Sequence, residues 1–188
     1  MREKLLIVGA GGFGRVVAEH AVLEYDCAFI DDGPEIGTVV NGITAIGRTN
    51  ELDKFISEFR LLIVAIGNNK LREKIYKNAE ETGFVFPNII DPSAYISPFA
   101  SIGKGCVILN NAVVQNNAKI GNGCILNSGV EAHHDSVIED YCLIYANSVV
   151  RALTKVGRRV RIGSTVSIST GAIVEDDADI EDGSVVKK

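Results

Sequence analysis

The hydrophobic pattern of the chain changes near residue 88. Before that point, apolar runs typical of buried parallel strands alternate with segments whose apolar residues recur at helical spacing. The predicted strands and helices, in order, are KLLIV (4–8), RVVAEHAVLE (15–24), CAFIDD (27–32), NELDKFISEF (50–59) capped by Thr49 or Asn50, LLIVAIG (61–67) and NNKLREKIYKNAEETG (68–83). This alternation predicts a small parallel α/β sheet, which we assign to residues 1–88.

From Ile90 onward the pattern has a strict period of six residues, without insertions up to residue 188. The aliphatic positions are Ile90, Ile96, Ile102, Ile108, Val114, Ile120, Leu126, Ile138, Ile144, Val150, Val156, Ile162, Ile168, Val174, Ile180 and Val186. A small or slender residue follows four places after each of them. This period is the signature of a hexapeptide β-helix, in which three six-residue sides close a coil of eighteen residues. We predict that residues 89–188 form such a β-helix, with the aliphatic side chains inside.

Three of the four cysteines fit the eighteen-residue coil. Cys106, Cys124 and Cys142 are eighteen residues apart, so they are predicted to stack at one corner of successive coils. Buried packing is the usual role of such free cysteines, and a redox or zinc role is the alternative. No CxxC spacing occurs among the four cysteines, so we predict neither a metal site nor a disulfide framework.

One inward position of the repeat, Ala132, lacks a large aliphatic side chain. His133, His134 and Asp135 follow it directly, although the chain contains only three histidines. A relaxed core position beside titratable side chains is typical of a functional site. Histidine transfers protons near neutral pH, and the carboxylate of Asp135 can orient the ring and stabilise the imidazolium. The alternative is a pair of solvated histidines on a flat face.

The eighteen-residue period also identifies the neighbours of the two histidines on the stacked coils. They are Asn116 below and Ala152 above His134, and Gln115 below and Arg151 above His133. One side of the prism is therefore predicted to surround an imidazole with polar groups and to leave a small residue above it.

The first predicted strand is followed by GAGGFG (9–14), which satisfies the Gly-x-Gly-x-x-Gly spacing. In that spacing, backbone N–H groups at a helix N-terminus can approach a phosphate. Asp31, about twenty residues later, would suit a ribose contact in an NAD site. The alternatives are a turn that only packs the helix on the sheet, and an NAD-dependent oxidoreductase. The second is disfavoured because a β-helix, and not another α/β domain, follows.

The net charge and the length of the apolar runs argue against several classes of partner. The 188 residues carry a formal net charge of −5, which argues against nucleic acid as a partner. No apolar run reaches the length of a membrane span, and a glycine-rich turn, not a cleavage site, follows the first apolar run. We therefore expect a cytoplasmic protein without membrane insertion.

Several segments together resemble a known family. IVGAGGFGRVVAE, FIDD, AIGNNKLREKIY, DPSAYISPFASIG and ILNSGVEAHHDSVIED resemble the bacterial sugar acetyltransferases of the sialic acid O-acetyltransferase (NeuD) and PglD type. The resemblance covers nearly the whole chain. It implies a Rossmann-like nucleotide-sugar-binding domain followed by a left-handed β-helix, a homotrimer, and acetyl-CoA as co-substrate without a metal. The implied reaction is direct acetyl transfer to a UDP-linked 4-amino sugar, or O-acetylation of a sialic acid.

The resemblance also implies roles for individual residues. His134 corresponds to the general base and Asp135 to its acidic partner, while His133 stands where the family often has glutamate. The implied substrate-binding residues are Gly11, Gly12, Phe13, Asp31, Asp32, Gly67, Asn68 and Asn127. The implied acetyl-CoA-binding residues are Leu143, Ala152 and Ser164.

The chain also departs from the family pattern. Ala146-Asn147 and Ala152-Leu153 stand where glycines are usual, so the methyl group of Ala152 projects where pantetheine should pass. Phe13 and Asp91 replace histidines, and the common Gly-x-Pro-Ala-Lys tail is absent. These departures keep one further interpretation open, a catalytically inactive trimeric scaffold that binds a sugar nucleotide but no CoA.

Overall fold

The computed structural model describes residues 2–188. They divide into two compact units, one up to Ile89 and the other Ile90–Lys188. The elements of the first unit are β1 (Lys4–Val8), α1 (Gly12–Ala21), β2 (Asp26–Ile30), β3 (Val39–Val40), β4 (Ile43–Gly47), a 3-10 helix (Thr49–Lys54), β5 (Leu61–Val64) and α2 (Asn69–Thr82). Within the described part of the chain, neither α-helix is long and apolar enough to cross a membrane.

The first unit is built on a five-stranded sheet in the order β3-β4-β2-β1-β5. Strands β4, β2, β1 and β5 run parallel, and β3 pairs antiparallel with β4 as an edge hairpin. The interior strand β1 is apolar and fully buried from Leu5 to Val8, as expected for a strand covered on both faces. The parallel α/β prediction is therefore confirmed.

Three local features of this unit differ from the sequence prediction. The segment 50–59 does not form an α-helix: only a 3-10 helix over Thr49–Lys54 is present, with a non-helical residue, Glu51, inside it. The β3–β4 hairpin was not predicted, although Asn41-Gly42 between the strands is a hairpin turn signal and both residues have a positive φ. Helix α1 also begins three residues earlier than predicted, at Gly12.

The second part of the chain is a parallel β-helix of two-residue strands, one every six residues. They are β6 (Ile89–Ile90), β7 (Tyr95–Ile96), β8 (Ser101–Ile102), β9 (Val107–Ile108), β10 (Val113–Val114), β11 (Lys119–Ile120), β12 (Ile125–Leu126), β13 (Glu131–Ala132), β14 (Val137–Ile138), β15 (Leu143–Ile144), β16 (Val149–Val150), β17 (Lys155–Val156), β18 (Arg161–Ile162), β19 (Ser167–Ile168), β20 (Ile173–Val174), β21 (Asp179–Ile180) and β22 (Val185–Val186).

Every third strand stacks on the next, which produces three flat sides. Side 1 holds β6, β9, β12, β15, β18 and β21, side 2 holds β7, β10, β13, β16, β19 and β22, and side 3 holds β8, β11, β14, β17 and β20. The paired residues are eighteen apart throughout, as in Val114↔Ala132 and Ile120↔Ile138. From β7 onward the second residue of each strand points into the core, where the aliphatic column from Ile108 to Val174 is buried. The hexapeptide prediction is therefore confirmed.

The corners of the prism impose a backbone conformation that few side chains adopt. From residue 105 to residue 183, every sixth residue has a positive φ near 60°. These residues are Gly105, Asn111, Asn117, Gly123, Gly129, Asp135, Tyr141, Asn147, Leu153, Arg159, Thr165, Gly171, Asp177 and Gly183. Glycine, asparagine and aspartate tolerate this left-handed region best, and they occupy ten of the fourteen corners.

The small residues near the corners make a second set of hydrogen bonds inside the prism. The thiols of Cys106, Cys124 and Cys142 each donate to a backbone carbonyl fifteen residues ahead, at 3.1, 3.1 and 3.0 Å. The hydroxyls of Ser148 and Thr154 make the same contact with the carbonyls of residues 163 and 169. The three cysteines are fully buried. These cysteines therefore serve as small hydrogen-bond donors to backbone carbonyl groups at the corners.

Candidate active site

The interruption at Ala132 does not disturb the coil. Ala132 is fully buried in β13 and lies between Val114 and Val150 of the coils below and above. The backbone ladder continues beyond it, because the N–H of His133 donates to the carbonyl of Val150 at 2.9 Å. The β-helix therefore presents the following polar residues from a regular backbone, and preorganised elements of this kind hold reactive groups well.

His134 and Asp135 form a hydrogen-bonded pair at the corner between sides 2 and 3. Nδ1 of His134 lies 2.8 Å from Oδ2 of Asp135. The side chain of His134 is 55% exposed, so the ring is accessible to a ligand. Hydrogen bonds from His134 and from Asn117 hold the pKa of the Asp135 carboxyl below its usual value of 3.8. Asp135 is therefore ionised at neutral pH and suited to stabilise a positively charged imidazole.

The second histidine has a different partner. Nε2 of His133 lies 3.0 Å from Oε2 of Glu131, and both side chains project outward from side 2 on either side of Ala132. The backbone N–H of His134 donates to Oε1 of Gln115 one coil below, at 3.1 Å. Of the two rings, His134 is thus the more exposed and the one that pairs with the adjacent aspartate.

A groove of about 320 Å³ begins at Asp135 and runs below the pair on side 3. Phe99, Ser101, Asn117, Lys119, Asp135 and Val137 line it. His134 is not among these lining residues, so the groove borders the acid of the pair and not the ring itself. Among residues 2–188 no cluster of three or more histidine, cysteine or acidic side chains could hold a metal ion.

The other β-helix residues implied by the resemblance fall into two separate places. Ala152 stacks directly above His134 at the same corner and is 9% exposed. Asn127, Leu143 and Ser164 instead lie on side 1 and at the corner that follows it. Within one chain, no hydrogen bond joins these three residues to His134.

The residues on side 1 also differ in how accessible they are. Asn127 donates from its Nδ2 to the carbonyl of Ile144 at 3.0 Å, so its carboxamide is tied to the coil above. The backbone N–H of Ser164 is taken by Oδ1 of Asp182 at 2.7 Å. Leu143 is only 4% exposed and offers little surface to a ligand.

In the first unit, the predicted ligand residues gather at the carboxyl ends of β1, β2 and β5. The chain order reverses between β1 and β5, and in open α/β sheets ligands bind outside such a switch point. The loop with Gly11 and Gly12 leaves β1 there, and Gly67 and Asn68 follow β5. A β-carbon added at Gly11 or Gly12 would meet no atom within 4 Å, so this loop is open to a ligand.

Gly14 and Asp31 have structural roles in the same loop. A β-carbon at Gly14 would collide with the carbonyl oxygen of Gly9, so this glycine allows helix α1 to pack on the strand. The carboxylate of Asp31 accepts the N–H groups of Ala10 and Gly33, both at 2.7 Å. Both oxygen atoms of this carboxylate therefore help to fix the glycine loop.

The remaining predicted residues of this unit also make internal contacts. Asp32 accepts the backbone N–H of Thr49 at 3.0 Å and its hydroxyl at 2.5 Å, and these bonds lower the pKa of the Asp32 carboxyl. Asn68 caps helix α2 by accepting the N–H of Leu71 at 2.9 Å. Phe13 lies half-buried in the first turn of α1.

Sequence reasoning missed two residues that shape these sites. Arg72 of helix α2 is fully buried, and its guanidinium donates to the carbonyls of Ile66 and Gly67 at 2.8 and 3.4 Å, which orders the loop after β5. Asn117 contacts Asp135 from the coil below. The eighteen-residue period contained the signal for Asn117, because it places residue 117 directly under residue 135.

Comparisons with known proteins cover both units. The family model of the PglD N-terminal domain matches residues 4–79, and that of the GMPPB C-terminal domain matches residues 87–188. The chain is 33% identical over 117 residues to a UDP-N-acetylbacillosamine N-acetyltransferase from Bacillus subtilis (strain 168). That match takes in 57% of this chain and 51% of the relative, so the chain spans about half the length of the curated relative that it matches.

Solved structures match over nearly the whole chain. The acetyltransferase domain of PglB from Neisseria gonorrhoeae FA1090 is 34% identical, with a TM-score of 0.93 over 99% of this chain and 92% of that one. A structure of the same domain with acetyl coenzyme A matches with a TM-score of 0.87, over 98% of this chain and 96% of that one.

A third structure contains a nucleotide sugar. A mutant of perosamine N-acetyltransferase from Caulobacter crescentus, in complex with CoA and GDP-perosamine, is 28% identical, with a TM-score of 0.93 over 98% of this chain and 89% of that one. The chain is 34% identical to the PglB acetyltransferase domain, of which it covers 92%, and its first unit matches the PglD N-terminal domain. The chain therefore belongs to the PglD-like N-acetyltransferase family.

Proposed function

We propose that this protein transfers the acetyl group of acetyl-CoA directly to the amino group of a nucleotide-linked 4-amino sugar, with His134 as the general base. The observation that carries the proposal is the 2.8 Å contact between Nδ1 of His134 and Oδ2 of Asp135. When Nδ1 donates to the carboxylate, Nε2 carries the free lone pair, and more than half of the side chain is exposed.

The reaction follows from this tautomer. Nε2 of His134 takes a proton from the amine as the nitrogen attacks the thioester carbonyl, and the carboxylate of Asp135 stabilises the imidazolium that forms. Collapse of the tetrahedral intermediate breaks the C–S bond, and the imidazolium returns the proton to the departing CoA sulfur. Amide and thiol are the products, and no acetyl-cysteine is needed. The three β-helix cysteines are fully buried, which supports this direct route.

The first unit and the relatives both support a nucleotide-linked sugar as the acceptor. The open glycine loop lies at the N-terminus of α1, where backbone N–H groups favour phosphate. The Bacillus relative is named for a UDP sugar, and the Caulobacter enzyme was solved with a GDP sugar. UDP-linked acceptors are our first choice, and a GDP-linked 4-amino sugar is the alternative that the Caulobacter match favours.

We also propose that the active unit is a homotrimer. His134 and Ala152 lie at one corner of the prism, while Asn127, Leu143 and Ser164 lie elsewhere on the same chain. A neighbouring prism would bring the second group to the first and enclose acetyl-CoA between two copies. Light scattering at micromolar protein should give three times the monomer mass, and a monomer would contradict this arrangement.

The same chemistry supports a cytoplasmic location, because acetyl-CoA and nucleotide sugars are cytoplasmic metabolites. The four cysteines are free, as expected for a protein in a reducing compartment.

The deciding experiment measures CoA thiol release from acetyl-CoA with UDP-4-amino-4,6-dideoxy-N-acetylglucosamine as acceptor. Wild-type protein should release thiol only when the sugar is present, and His134→Ala should abolish most of that release. Parallel reactions with a GDP-linked 4-amino sugar and with sialic acid test the other acceptors. Binding of a UDP sugar without any thiol release or CoA binding would contradict the proposal and indicate an inactive scaffold.

A further inference from the structure

We infer that Asn117 is a positioning residue that orients the Asp135 carboxylate toward His134. This inference rests on the proposed function, since it concerns the same proton transfer. Nδ2 of Asn117 lies 3.3 Å from Oδ1 of Asp135, and Oδ2 of the same carboxylate lies 2.8 Å from Nδ1 of His134. Asn117, Asp135 and His134 therefore form one chain of hydrogen bonds across two coils.

The fold fixes the relative position of the two corner residues. Asn117 and Asp135 are eighteen residues apart and have the same φ of 58°. The N–H of Asp135 donates to the carbonyl of Asn116 at 3.1 Å, and β11 pairs with β14 directly after the corner. The two side chains leave the backbone in equivalent conformations on stacked coils, so the contact does not depend on a mobile segment.

The two hydrogen bonds act on opposite oxygens of one carboxylate. A single bond to His134 would leave the Asp135 side chain free to rotate, because this corner is exposed. The second bond from Asn117 fixes the carboxylate plane and keeps Oδ2 opposite Nδ1 of the ring. The pKa of the Asp135 carboxyl is lowered first by the hydrogen bond with His134 and second by that with Asn117.

Asparagine at a left-handed corner is not by itself evidence of a role. Asn111 occupies the preceding corner with a φ of 57°, and its stacked neighbour above is Gly129. No carboxylate therefore lies above Asn111. What distinguishes Asn117 is its contact with the acid of the proposed catalytic pair, and Asn111 supplies a matched control.

The test uses Asn117→Gly in the full-length protein. Glycine removes the donor and relieves the left-handed strain, so folding is not compromised. We expect kcat to fall about threefold to tenfold, the loss typical of one hydrogen bond, while KM for both substrates stays unchanged. Asn117→Asp should lose more, because a second carboxylate repels Asp135. Asn111→Gly should retain wild-type kinetics.

A double-mutant cycle separates positioning from a general structural effect. If Asn117 acts through Asp135, then Asn117→Gly should cause no further loss of kcat in an Asp135→Ala background. Additive losses would overturn the inference. A raised acceptor KM with unchanged kcat would also overturn it, and would make Asn117 a residue that binds the acceptor in the adjoining groove.

A carboxyl ¹³C NMR titration of Asp135 gives a readout that needs no acceptor. Loss of the Asn117 donor should raise the pKa of Asp135 relative to wild type, and Asn111→Gly should leave it unchanged. An unchanged pKa in Asn117→Gly would overturn the inference even if wild-type protein transfers acetyl groups. A raised pKa in a protein that releases no CoA thiol would support the contact and reject the proposed function.

Discussion

Oδ2 of Asp135 lies 2.8 Å from Nδ1 of His134, although the two residues are neighbours in the chain. Adjacent side chains in a strand point to opposite faces, so a regular backbone would not bring them together. The left-handed φ of 58° at Asp135 turns the chain at this corner. The corner that closes each coil thus also creates the pairing that the proposed reaction needs.

The first prediction separates the two histidines. His134→Ala should lower kcat by about 10²–10⁴-fold, the usual contribution of a general base. His133→Ala removes a ring that pairs with Glu131 and should cause a far smaller loss. Steady-state CoA thiol release decides between them. Equal losses, or a larger loss at His133, would show that His134 is not the general base.

The period of the sequence was enough to predict the architecture of the second part of the chain. Sixteen aliphatic residues at intervals of six predicted the inward column, and the single exception, Ala132, marked the corner with the His134–Asp135 pair. These features are repetitive and local, so they are visible in one sequence. The same period placed Gln115 beside the histidines, where its Oε1 accepts the N–H of His134.

Other features depend on contacts that a one-dimensional pattern does not contain. The sequence did not show that the oxygens of Asp31 and Asp32 accept N–H and hydroxyl groups from residues 10, 33 and 49. The segment 50–59 has helical periodicity, but Gly47 packs against Phe55, and the chain forms only a short 3-10 helix. Tertiary contacts outweighed local preference in this segment.

The second prediction tests the role of the stacked cysteines. Cys142→Ala should cost about 1–3 kcal/mol in unfolding free energy, because the buried carbonyl of Gly157 loses its donor. Cys142→Ser should cost less, since Ser148 makes the equivalent contact with Gly163 at 2.6 Å. Chemical denaturation measures both. Neither variant should lose thiol release when folded, and an inactive but stable Cys142→Ser would indicate covalent catalysis.

The third prediction concerns strain at a corner. Thr165 is β-branched and exposed and has a φ of 56°, a region that such residues rarely adopt. Thr165→Gly should therefore stabilise the protein by about 1 kcal/mol. Thr170→Gly is the matched control at an exposed position without a positive φ, and it should destabilise by a similar amount. Thermal unfolding of the two variants should shift in opposite directions.

The fourth prediction concerns pH. Hydrogen bonds from Thr49 hold the pKa of the Asp32 carboxyl below its usual value of 3.8. The ionised carboxylate therefore stabilises the folded protein above pH 3.8, and this stabilisation is lost as the pH falls through the folded-state pKa. Thr49→Val removes the hydroxyl donor and should lower the melting temperature at pH 7. The deficit should shrink well below pH 3.8. Thr44→Val, at an exposed strand position, should show no such pH dependence.

The last prediction separates the two roles of the glycine loop. Gly14→Ala should destabilise the first unit strongly, because a β-carbon there collides with the carbonyl oxygen of Gly9. Gly12→Ala has open space around its β-carbon and should leave the melting temperature nearly unchanged. If a sugar nucleotide binds at this loop, however, the methyl group of Gly12→Ala should weaken that binding, which calorimetry with a UDP sugar measures. Unchanged affinity in Gly12→Ala would indicate that the glycine motif serves only packing and that the nucleotide binds elsewhere.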